Sequence, residues 1–343
     1  MAQAKISFRN VKKYFPGGGL LRKSYIRAVN GVSFDIREGE ILAVVGESGC
    51  GKTTMARMLM KLYDPTEGAI LVDGCDIAKV QNRREIKKWH SNIQMIFQDP
   101  FASLNPAHTV RGIISRAVTL HFPALSDREV QDRVEQLLIL VGLTPPRDFM
   151  GKHPAQLSGG QRQRIVIARA LAVEPDILVA DEPTSMLDVS IGIDIMNLLL
   201  DLKEKKRLTM MYITHNLAGA RYIADDMVVM YAGNAVEYGR VDEIIAAPYH
   251  PYTVLLLNST PEPFRQDSVT IQASEELPDI KSPQTDCLFC SRCPLAMERC
   301  RSRIPEDYTV GSRRVKCFLY EGRDSVPRPL ADIGIYAAKE ETA

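Results

Sequence analysis

The chain carries two kinds of strand-like pattern. Residues 6–15 and 69–77 alternate apolar residues with glycine and charged residues, which is typical of antiparallel strands with one face in water. Three other segments are short and continuously apolar, and each ends at glycine, an acidic residue or histidine: ILAVVG (41–46), DILVAD (176–181) and LTMMYITH (208–215). Such runs are typical of buried parallel strands, so we expect both an antiparallel and a parallel sheet.

Helical patterns separate the apolar strands. One begins with a capping box formed by Ser126 and Glu129, ends at Gly142, and places on one face Val130, Val134, Leu137 and Val141. The alternation of strands and helices predicts an α/β fold with a parallel sheet core. Residues from about 99 to 170 are mostly helical and lie between two predicted strands. We therefore expect a helical subdomain inserted into the α/β core.

Composition and charge narrow the class of protein. The chain has 343 residues, of which 45% are hydrophobic and 25% charged, which is ordinary for a soluble globular protein. Its net charge of +1 gives no support to a nucleic-acid partner. No signal peptide is visible, and no apolar run approaches the ~18 residues that span a bilayer. We expect an intracellular protein, in which disulfides are disfavoured. Residues 260–286 are rich in Pro, Ser and acidic residues and are predicted to be a linker.

The segment GESGCGKTT follows the first buried strand and precedes an amphipathic helical pattern. It matches the phosphate-loop motif G-x-x-x-x-G-K-[ST], in which backbone N–H groups and a helix N-terminus face phosphate oxygens. Lys52 is expected to contact the β- and γ-phosphates and Thr53 to bind Mg²⁺. Met55, Leu59 and Leu62 are predicted to form the buried face of the helix. Cys50 is expected to be a reactive thiol, because helix N-termini lower thiol pKa values.

Two further segments complete a hydrolytic site. ILVADEP ends a buried strand with Asp181 and Glu182, at the edge of the sheet where ligands bind. Asp181 is expected to hold Mg²⁺, and Glu182 to orient or deprotonate the attacking water. His215 ends the third apolar strand, and its imidazole could hydrogen-bond the γ-phosphate. Taken alone, each residue has a structural alternative, but beside a complete phosphate loop the hydrolytic interpretation is favoured.

The segment LSGGQRQRIVIARAL (157–171), together with the phosphate loop and ILVADEP, resembles the ATP-binding cassette (ABC) ATPases. The resemblance implies that a signature loop closes over an ATP bound by a second cassette, so that two ATP molecules lie between two cassettes. In this sequence the signature loop is formed by Leu157, Ser158, Gly159, Gly160 and Gln161. The resemblance implies further that Gln98 touches Mg²⁺ and the attacking water. It also implies that a loop containing Ser185 and Asp188 crosses the dimer interface. Phe15 is expected to stack on adenine, with a core role as the alternative. The implied ATP-binding residues are Phe15, Gly46, Glu47, Ser48, Gly49, Cys50, Gly51, Lys52, Thr53 and Thr54.

FQDPFASLNP (97–106) and HPYTVLLLNSTPEP (250–263) resemble the ATPase subunits of oligopeptide and dipeptide importers. The resemblance implies a nucleotide-binding domain over residues 1–245 and an importer-type extension over residues 246–343. It implies a second ABC ATPase, as a heterodimer or a homodimer, and two transmembrane permease subunits docked near Phe97, Phe101 and Leu104, with a core role as the alternative for each of these three residues. An extracytoplasmic substrate-binding protein would be an indirect partner of this chain. The chain itself would lie on the cytoplasmic face of the cell membrane. Oligosaccharide or nickel uptake, a soluble ABC ATPase in repair or translation, and a regulator with little hydrolysis remain alternatives.

Five of the seven cysteines lie between residues 287 and 317. Four of them have the spacing C-x5-C-x6-C-x16-C: Cys287, Cys293, Cys300 and Cys317. Four thiolates can complete the ligand shell of an iron–sulfur cluster or of zinc. The resemblance to the peptide-importer ATPases implies a [4Fe–4S] cluster, with Zn²⁺ or free thiols as alternatives. Cys290 is an additional thiol that forms a C-x2-C pair with Cys293, which leaves the ligand set open.

Overall fold

A computed structural model of the protein describes residues 4–17, 24–258, 278 and 280–322. These residues form two compact units. The first unit comprises Arg37–Glu40 and Lys79–Tyr212, and the second unit comprises Ala4–Ile36, Ile41–Ala78 and the described residues after Tyr212. Within these ranges, no helix is long and apolar enough to cross a membrane.

The strands and helices follow one another as the mixed sequence pattern predicts. The strands are β1 (Ala4–Gly17), β2 (Ser24–Arg37), β3 (Ile41–Val45), β4 (Glu67–Val72), β5 (Cys75–Asp76), β6 (Ile93–Ile96), β7 (Ile177–Asp181), β8 (Thr209–Thr214), β9 (Asp226–Tyr231), β10 (Asn234–Arg240), β11 (Tyr308–Val310) and β12 (Arg313–Val315). The helices are α1 (Lys52–Leu59), α2 (Arg83–Asn92), α3 (Pro100–Ser103), α4 (Val110–His121), α5 (Asp127–Leu140), α6 (Arg147–Met150), α7 (Gly159–Leu171), α8 (Val189–Lys206), α9 (Leu217–Ile223), α10 (Val241–Ala246) and α11 (Pro251–Asn258).

The second unit contains an antiparallel sheet and a mixed one. Strands β2, β1, β4 and β5 are neighbours in that order, and β1 pairs antiparallel with β4. Strands β11, β12, β10, β9 and β3 are neighbours in that order in the mixed sheet, where β9 is antiparallel to β10 and parallel to β3. All five residues of β3 are buried, as its continuous apolar run predicts. The core beside β3 and β9 includes residues from the C-terminal part of the chain, among them Tyr252 and Phe289.

The first unit combines parallel strands with the predicted helical segment. β6 pairs in parallel with β7, and β8 lies beside β7. Five helices, α3 to α7, lie between β6 and β7 along the chain. The predicted capping box of α5 is present, because the Ser126 hydroxyl accepts the Glu129 N–H at 3.4 Å and the Glu129 carboxylate accepts the Ser126 N–H at 2.7 Å. The predicted apolar face of this helix is buried.

One local prediction from the hydrophobic pattern is wrong, and burial separates the three predicted docking residues. Leu62 is 53% exposed instead of buried, because α1 ends at Leu59 and Lys61 takes a left-handed conformation with φ of 57°. Leu104 is 2% exposed and so has the core role that was its alternative, whereas Phe97 and Phe101 are 41% and 58% exposed. Most of the linker predicted at 260–286 lies outside the described residues.

Candidate functional site

The phosphate loop connects β3 to α1 through three glycines with positive φ, and at two of them a side chain would also lack space. Gly46 has φ of 150° and Gly51 has φ of 107°. A Cβ atom would lie 2.2 Å from the Met230 carbonyl oxygen at Gly46 and 2.2 Å from the Ala28 carbonyl oxygen at Gly51. The backbone therefore needs glycine at both positions, for conformation and for space. Ser48 and Gly49 are exposed at the tip of the loop.

Lys52 is folded back along the loop that precedes it. Its side chain is buried, and its Nζ donates hydrogen bonds to the Gly46 oxygen at 2.7 Å and to the Glu47 oxygen at 2.9 Å. Gly51, which precedes α1, supplies no side-chain cap to the helix. The helix N-terminus and the lysine together form a cationic site lined by backbone, which suits an anion such as a phosphate group. Thr53 and Thr54 follow in the first turn of α1 and are partly buried.

The C-terminal part of the second unit supports the phosphate loop through Tyr252. The Tyr252 hydroxyl accepts the backbone N–H of Glu47 at 2.9 Å. Tyr252 lies at the start of α11, in the segment HPYT, and its own backbone N–H donates to His250 Nδ1 at 3.0 Å. The resemblance of the HPYT segment to importer ATPases does not predict this contact. The HPYT motif is the sequence feature that could have pointed to the contact between Tyr252 and Glu47.

A buried carboxylate fixes the HPYT turn. Glu237 on β10 accepts the backbone N–H groups of Tyr249 at 2.9 Å and His250 at 3.0 Å, and the Thr253 hydroxyl at 2.7 Å. Burial raises the pKa of Glu237, while these hydrogen bonds oppose the shift. Burial also lowers the pKa of His250 to about 3, so its imidazole is neutral and can accept the hydrogen bond from Tyr252. Burial and hydrogen bonding together hold the tyrosine that contacts the phosphate loop.

Phe15 and His215, also in the second unit, occupy accessible positions. The Phe15 ring is partly exposed and packs edge-on against Tyr63, with a centroid distance of 5.3 Å. The neighbouring Tyr14 is also partly exposed, and its hydroxyl donates to Asn30 at 2.7 Å. His215 is exposed directly after β8. Asn216, the next residue, caps α9 by accepting the Gly219 N–H at 3.1 Å.

The first unit contains the predicted hydrolytic carboxylates. Asp181 ends β7 and is 5% exposed. Glu182 follows with φ of 46°, a strained conformation for a residue with a side chain, and its carboxylate accepts a hydrogen bond from the Gln98 amide at 3.0 Å. The Ser185 hydroxyl donates to the Glu182 carbonyl at 3.0 Å, and Asp188 precedes α8. The structure therefore brings Gln98, Glu182 and Ser185 together.

The signature residues form the start of α7 in the same unit. Leu157 is buried, and Ser158 caps the helix. The Ser158 hydroxyl accepts the Gln161 N–H at 3.3 Å, and the Gln161 side chain accepts the Ser158 N–H at 3.1 Å. A Cβ atom on Gly160 would lie 2.6 Å from Ile191 Cγ2, so the glycine permits close packing of α7 against α8.

The expectation of a reactive Cys50 is wrong. Cys50 is 5% exposed. Burial raises the pKa of its thiol, while the nearby charge of Lys52 opposes the shift. The cost of burying a thiolate outweighs the effect of the helix N-terminus, on which the expectation depended.

The C-terminal cysteines lie around one small cavity in the second unit. It is lined by Cys287, Cys290, Cys293, Cys300 and Cys317, together with apolar residues such as Phe289 and Phe318. Burial raises the pKa of Cys287 to about 11 and those of Cys293 and Cys317 to about 12. No group of three or more His, Cys, Asp or Glu side chains within the described ranges is arranged to hold a metal ion.

Comparisons with known proteins agree with this arrangement of motifs. The ABC transporter family matches residues 29–185, and the family described as the oligopeptide/dipeptide transporter C-terminal region matches residues 236–300. The chain is 45% identical to the oligopeptide transport ATP-binding protein AppF of Bacillus subtilis (strain 168), over 92% of this chain and 97% of that protein. It is 43% identical to the di/tripeptide transport ATP-binding protein DppF of Pseudomonas aeruginosa (strain UCBPP-PA14), over 85% of this chain and 90% of that protein. A solved dimeric ABC transporter cassette matches 69% of this chain and 98% of its own, with a TM-score of 0.62 and 32% identity.

The fold and its motifs define an ABC-type ATPase, which hydrolyses ATP and couples hydrolysis to transport. The chain belongs to the ATP-binding proteins of the oligopeptide/dipeptide ABC transporter family. The second family match begins in β10 and includes Glu237 and the HPYT segment, which together support the phosphate loop.

Proposed function

We propose that this chain is an ATPase subunit that drives the import of oligopeptides or dipeptides, acting on the cytoplasmic face of the cell membrane. The observation that carries the proposal is the phosphate loop with its buried Lys52, in a chain that resembles peptide-transport ATP-binding proteins over nearly its whole length. The proposed domains are a nucleotide-binding domain over residues 1–245 and a cysteine-rich extension over residues 246–343.

The site residues have distinct roles in this proposal. Phe15 stacks on adenine, residues 46–54 bind the phosphates, and Thr53, Gln98 and Asp181 hold Mg²⁺. Glu182 acts as general base toward the attacking water, which is positioned by Gln98 and His215. The hydrogen bond between the Gln98 amide and the Glu182 carboxylate supports this assignment, because it ties the residue near Mg²⁺ to the proposed base.

ATP binding closes a dimer in which the signature loop of each cassette covers the nucleotide of the other. Ser158, Gly159 and Gly160 supply the contacts to the partner's ATP, and the loop containing Ser185 and Asp188 crosses the interface. Exposed apolar side chains in and next to this loop, Met186 at 53% and Val189 at 82%, are suited to burial against a partner.

The partner is a second ABC ATPase. Closure of the dimer followed by hydrolysis drives two permease subunits, which receive cargo from a substrate-binding protein. The exposed Phe97 and Phe101 support a permease docking surface near Gln98.

A [4Fe–4S] cluster is proposed for Cys287, Cys293, Cys300 and Cys317. Soft thiolate ligands suit such a cluster, and all four line the same cavity. A cluster is larger than a single ion, so its ligands can stand further apart than those of zinc. When bound, the cluster would cross-link the parts of the chain that carry these four cysteines and so have a structural role. Anaerobic purification with iron, sulfide and zinc assays tests this assignment. About four irons and four sulfides per chain support it, whereas one zinc or no metal overturns it.

The function is tested by reconstituting the chain with its permeases, second ATPase and binding protein in proteoliposomes. ATP hydrolysis is expected to rise when the binding protein carries peptide, and labelled peptide is expected to accumulate. Stimulation by oligosaccharide or nickel instead would replace the cargo assignment and keep the ATPase role.

Glu182→Gln tests the catalytic assignment in the same assembly. The turnover number is expected to fall about 100-fold or more, because the amide cannot accept the proton of the attacking water. ATP binding is expected to be retained, because the substitution preserves size and a hydrogen-bonding oxygen. Full turnover in this variant would contradict the role of Glu182 as the base.

A further inference from the structure

The cysteine-rich segment makes a direct ionic contact with the phosphate loop. Arg292 lies between Cys290 and Cys293, and its guanidinium pairs with the Glu47 carboxylate. The two hydrogen bonds, Nη1 to Oε2 and Nη2 to Oε1, are each 3.0 Å long. This bidentate geometry is the strongest that an arginine and a carboxylate can form. Both residues belong to the second unit, and 245 positions separate them in the sequence.

Aromatic side chains keep the guanidinium in place. Its central carbon lies 5.7 Å from the centroid of the Tyr231 ring and 5.9 Å from that of Phe289. The Arg292 side chain is 12% exposed, whereas the Glu47 side chain is 38% exposed. The arginine is therefore the fixed partner, and the position of the Glu47 side chain depends on it.

Glu47 is held at its side chain, its N–H and its carbonyl. Arg292 pairs with its carboxylate, the Tyr252 hydroxyl accepts its backbone N–H, and Lys52 Nζ donates to its backbone oxygen. The carbonyl of Glu47 is therefore one of the two backbone acceptors that fix the phosphate-binding lysine. Any shift of Glu47 moves an acceptor of Lys52, and this connects the cysteine-rich segment to the ammonium group.

We infer that Arg292 is a positioning residue for ATP binding, acting through Glu47 on the phosphate loop and Lys52. The cysteine-rich segment thus sets how well the loop is organised to receive phosphate. Losing the ion pair leaves Lys52 and the glycines in place but lets the loop sample other conformations. Such a loss weakens nucleotide affinity with little effect on the hydrolytic step, because neither Arg292 nor Glu47 supplies the base or the proton path.

Calorimetric titration of the full-length chain with MgATP tests this inference. Arg292→Gln is expected to raise the Kd for MgATP about fivefold to tenfold, the range typical of losing a bidentate ion pair that organises a site. Arg292→Lys is expected to have an intermediate effect, because an ammonium group cannot form the paired hydrogen bonds. Arg299→Gln is the matched control, since Arg299 lies in the same segment but pairs with Glu321; its Kd is expected to equal that of the unmodified chain.

A double-mutant cycle separates positioning from general stability. Glu47→Gln is expected to weaken MgATP binding as Arg292→Gln does, and the double variant is expected to be no weaker than either single variant. In the reconstituted assembly, Arg292→Gln is expected to raise the KM for ATP and to change kcat less than about twofold. If Arg292→Gln lowers the melting temperature but leaves the Kd unchanged, or if the two effects add, the inference is overturned. Arg292→Lys and Glu47→Gln, which conserve size, provide the same test should Arg292→Gln fail to fold.

This inference depends on the proposed role of the phosphate loop, and Lys52→Ala distinguishes the two possible failures. If the unmodified chain does not bind MgATP, or if Lys52→Ala binds it equally well, the proposed function itself is wrong. If Lys52→Ala abolishes binding while Arg292→Gln has no effect, only the positioning role of Arg292 is wrong.

Discussion

Two helices of this protein begin at glycine-rich loops, and they differ in how their first turns are stabilised. α1 in the second unit follows Gly51, has no side-chain cap, and begins with a lysine that bonds back to the loop. α7 in the first unit follows Ser158, which forms a complete capping box with Gln161. The first helix start is suited to an anion bound by its own chain. The second is a stable helix start even without a nucleotide.

The capped start can still contact an anion. A serine hydroxyl that accepts the Gln161 N–H keeps its own proton, which it can donate to a phosphate oxygen. Ser158 can therefore cap α7 and contact a partner's nucleotide at the same time. The comparison indicates that the phosphate loop is stabilised by its ligand and by the C-terminal residues that contact it. The signature loop is stabilised by its own helix cap.

Removing the lysine of the uncapped start is expected to have the largest effect. Lys52→Ala should lower ATP hydrolysis at least about 100-fold, because it removes the charge that stabilises the β- and γ-phosphates. Phosphate release by the reconstituted assembly measures the effect. Lys205→Ala is the control, since Lys205 is an exposed lysine on the surface of α8 that pairs with Asp201 of the same helix. Activity above about one tenth of normal in Lys52→Ala would show that backbone N–H groups alone can bind the phosphates.

The glycines of the two starts are expected to differ in their tolerance of alanine. Gly51→Ala should destabilise the chain by roughly 2–3 kcal/mol or more, because its Cβ would lie 2.2 Å from a backbone oxygen at a positive φ. Gly159→Ala places its Cβ 3.3 Å from a flexible leucine side chain and should cost less than about 1 kcal/mol. Urea denaturation followed by circular dichroism measures both. Equal losses would contradict the view that the backbone requires Gly51 but does not require Gly159.

Removing the cap of α7 is expected to have a smaller effect on stability. Ser158→Ala should cost about 1 kcal/mol, the usual value for an N-cap, and should also lower ATP hydrolysis by the assembly about tenfold. Ser126→Ala is the matched control, since Ser126 forms the same kind of capping box at α5 and has no proposed contact with nucleotide. It should lose similar stability and keep its activity. If both variants lose activity equally, capping alone explains the role of Ser158.

The sequence predicted the motifs and the strands because both depend on local patterns. The phosphate loop, the capping box of α5 and the buried face of the same helix follow from residue types at short spacing. The contacts of Tyr252 and Arg292 with Glu47 were missed because more than 200 residues separate the partners and no periodicity marks them. The exposure of Leu62 was missed because the helical spacing continues past Leu59, whereas the backbone leaves the helix there.

The smallest expected effect concerns Cys50, which lies just before the uncapped N-terminus of α1. The sequence suggested a reactive thiol because a helix N-terminus favours a thiolate, but Cys50 is buried, and burial raises its pKa. Below that raised pKa the thiol is protonated, so alkylation should be slow near neutral pH and should accelerate only as the pH rises. Cys75, an exposed cysteine in the same unit, serves as the internal reference. A brief iodoacetamide treatment at pH 7.5, followed by peptide mass spectrometry, should label Cys50 about tenfold more slowly than Cys75. Equal labelling would mean that the field of α1 outweighs the cost of burying a charge, and the two helix starts would then differ in electrostatics as well as in capping.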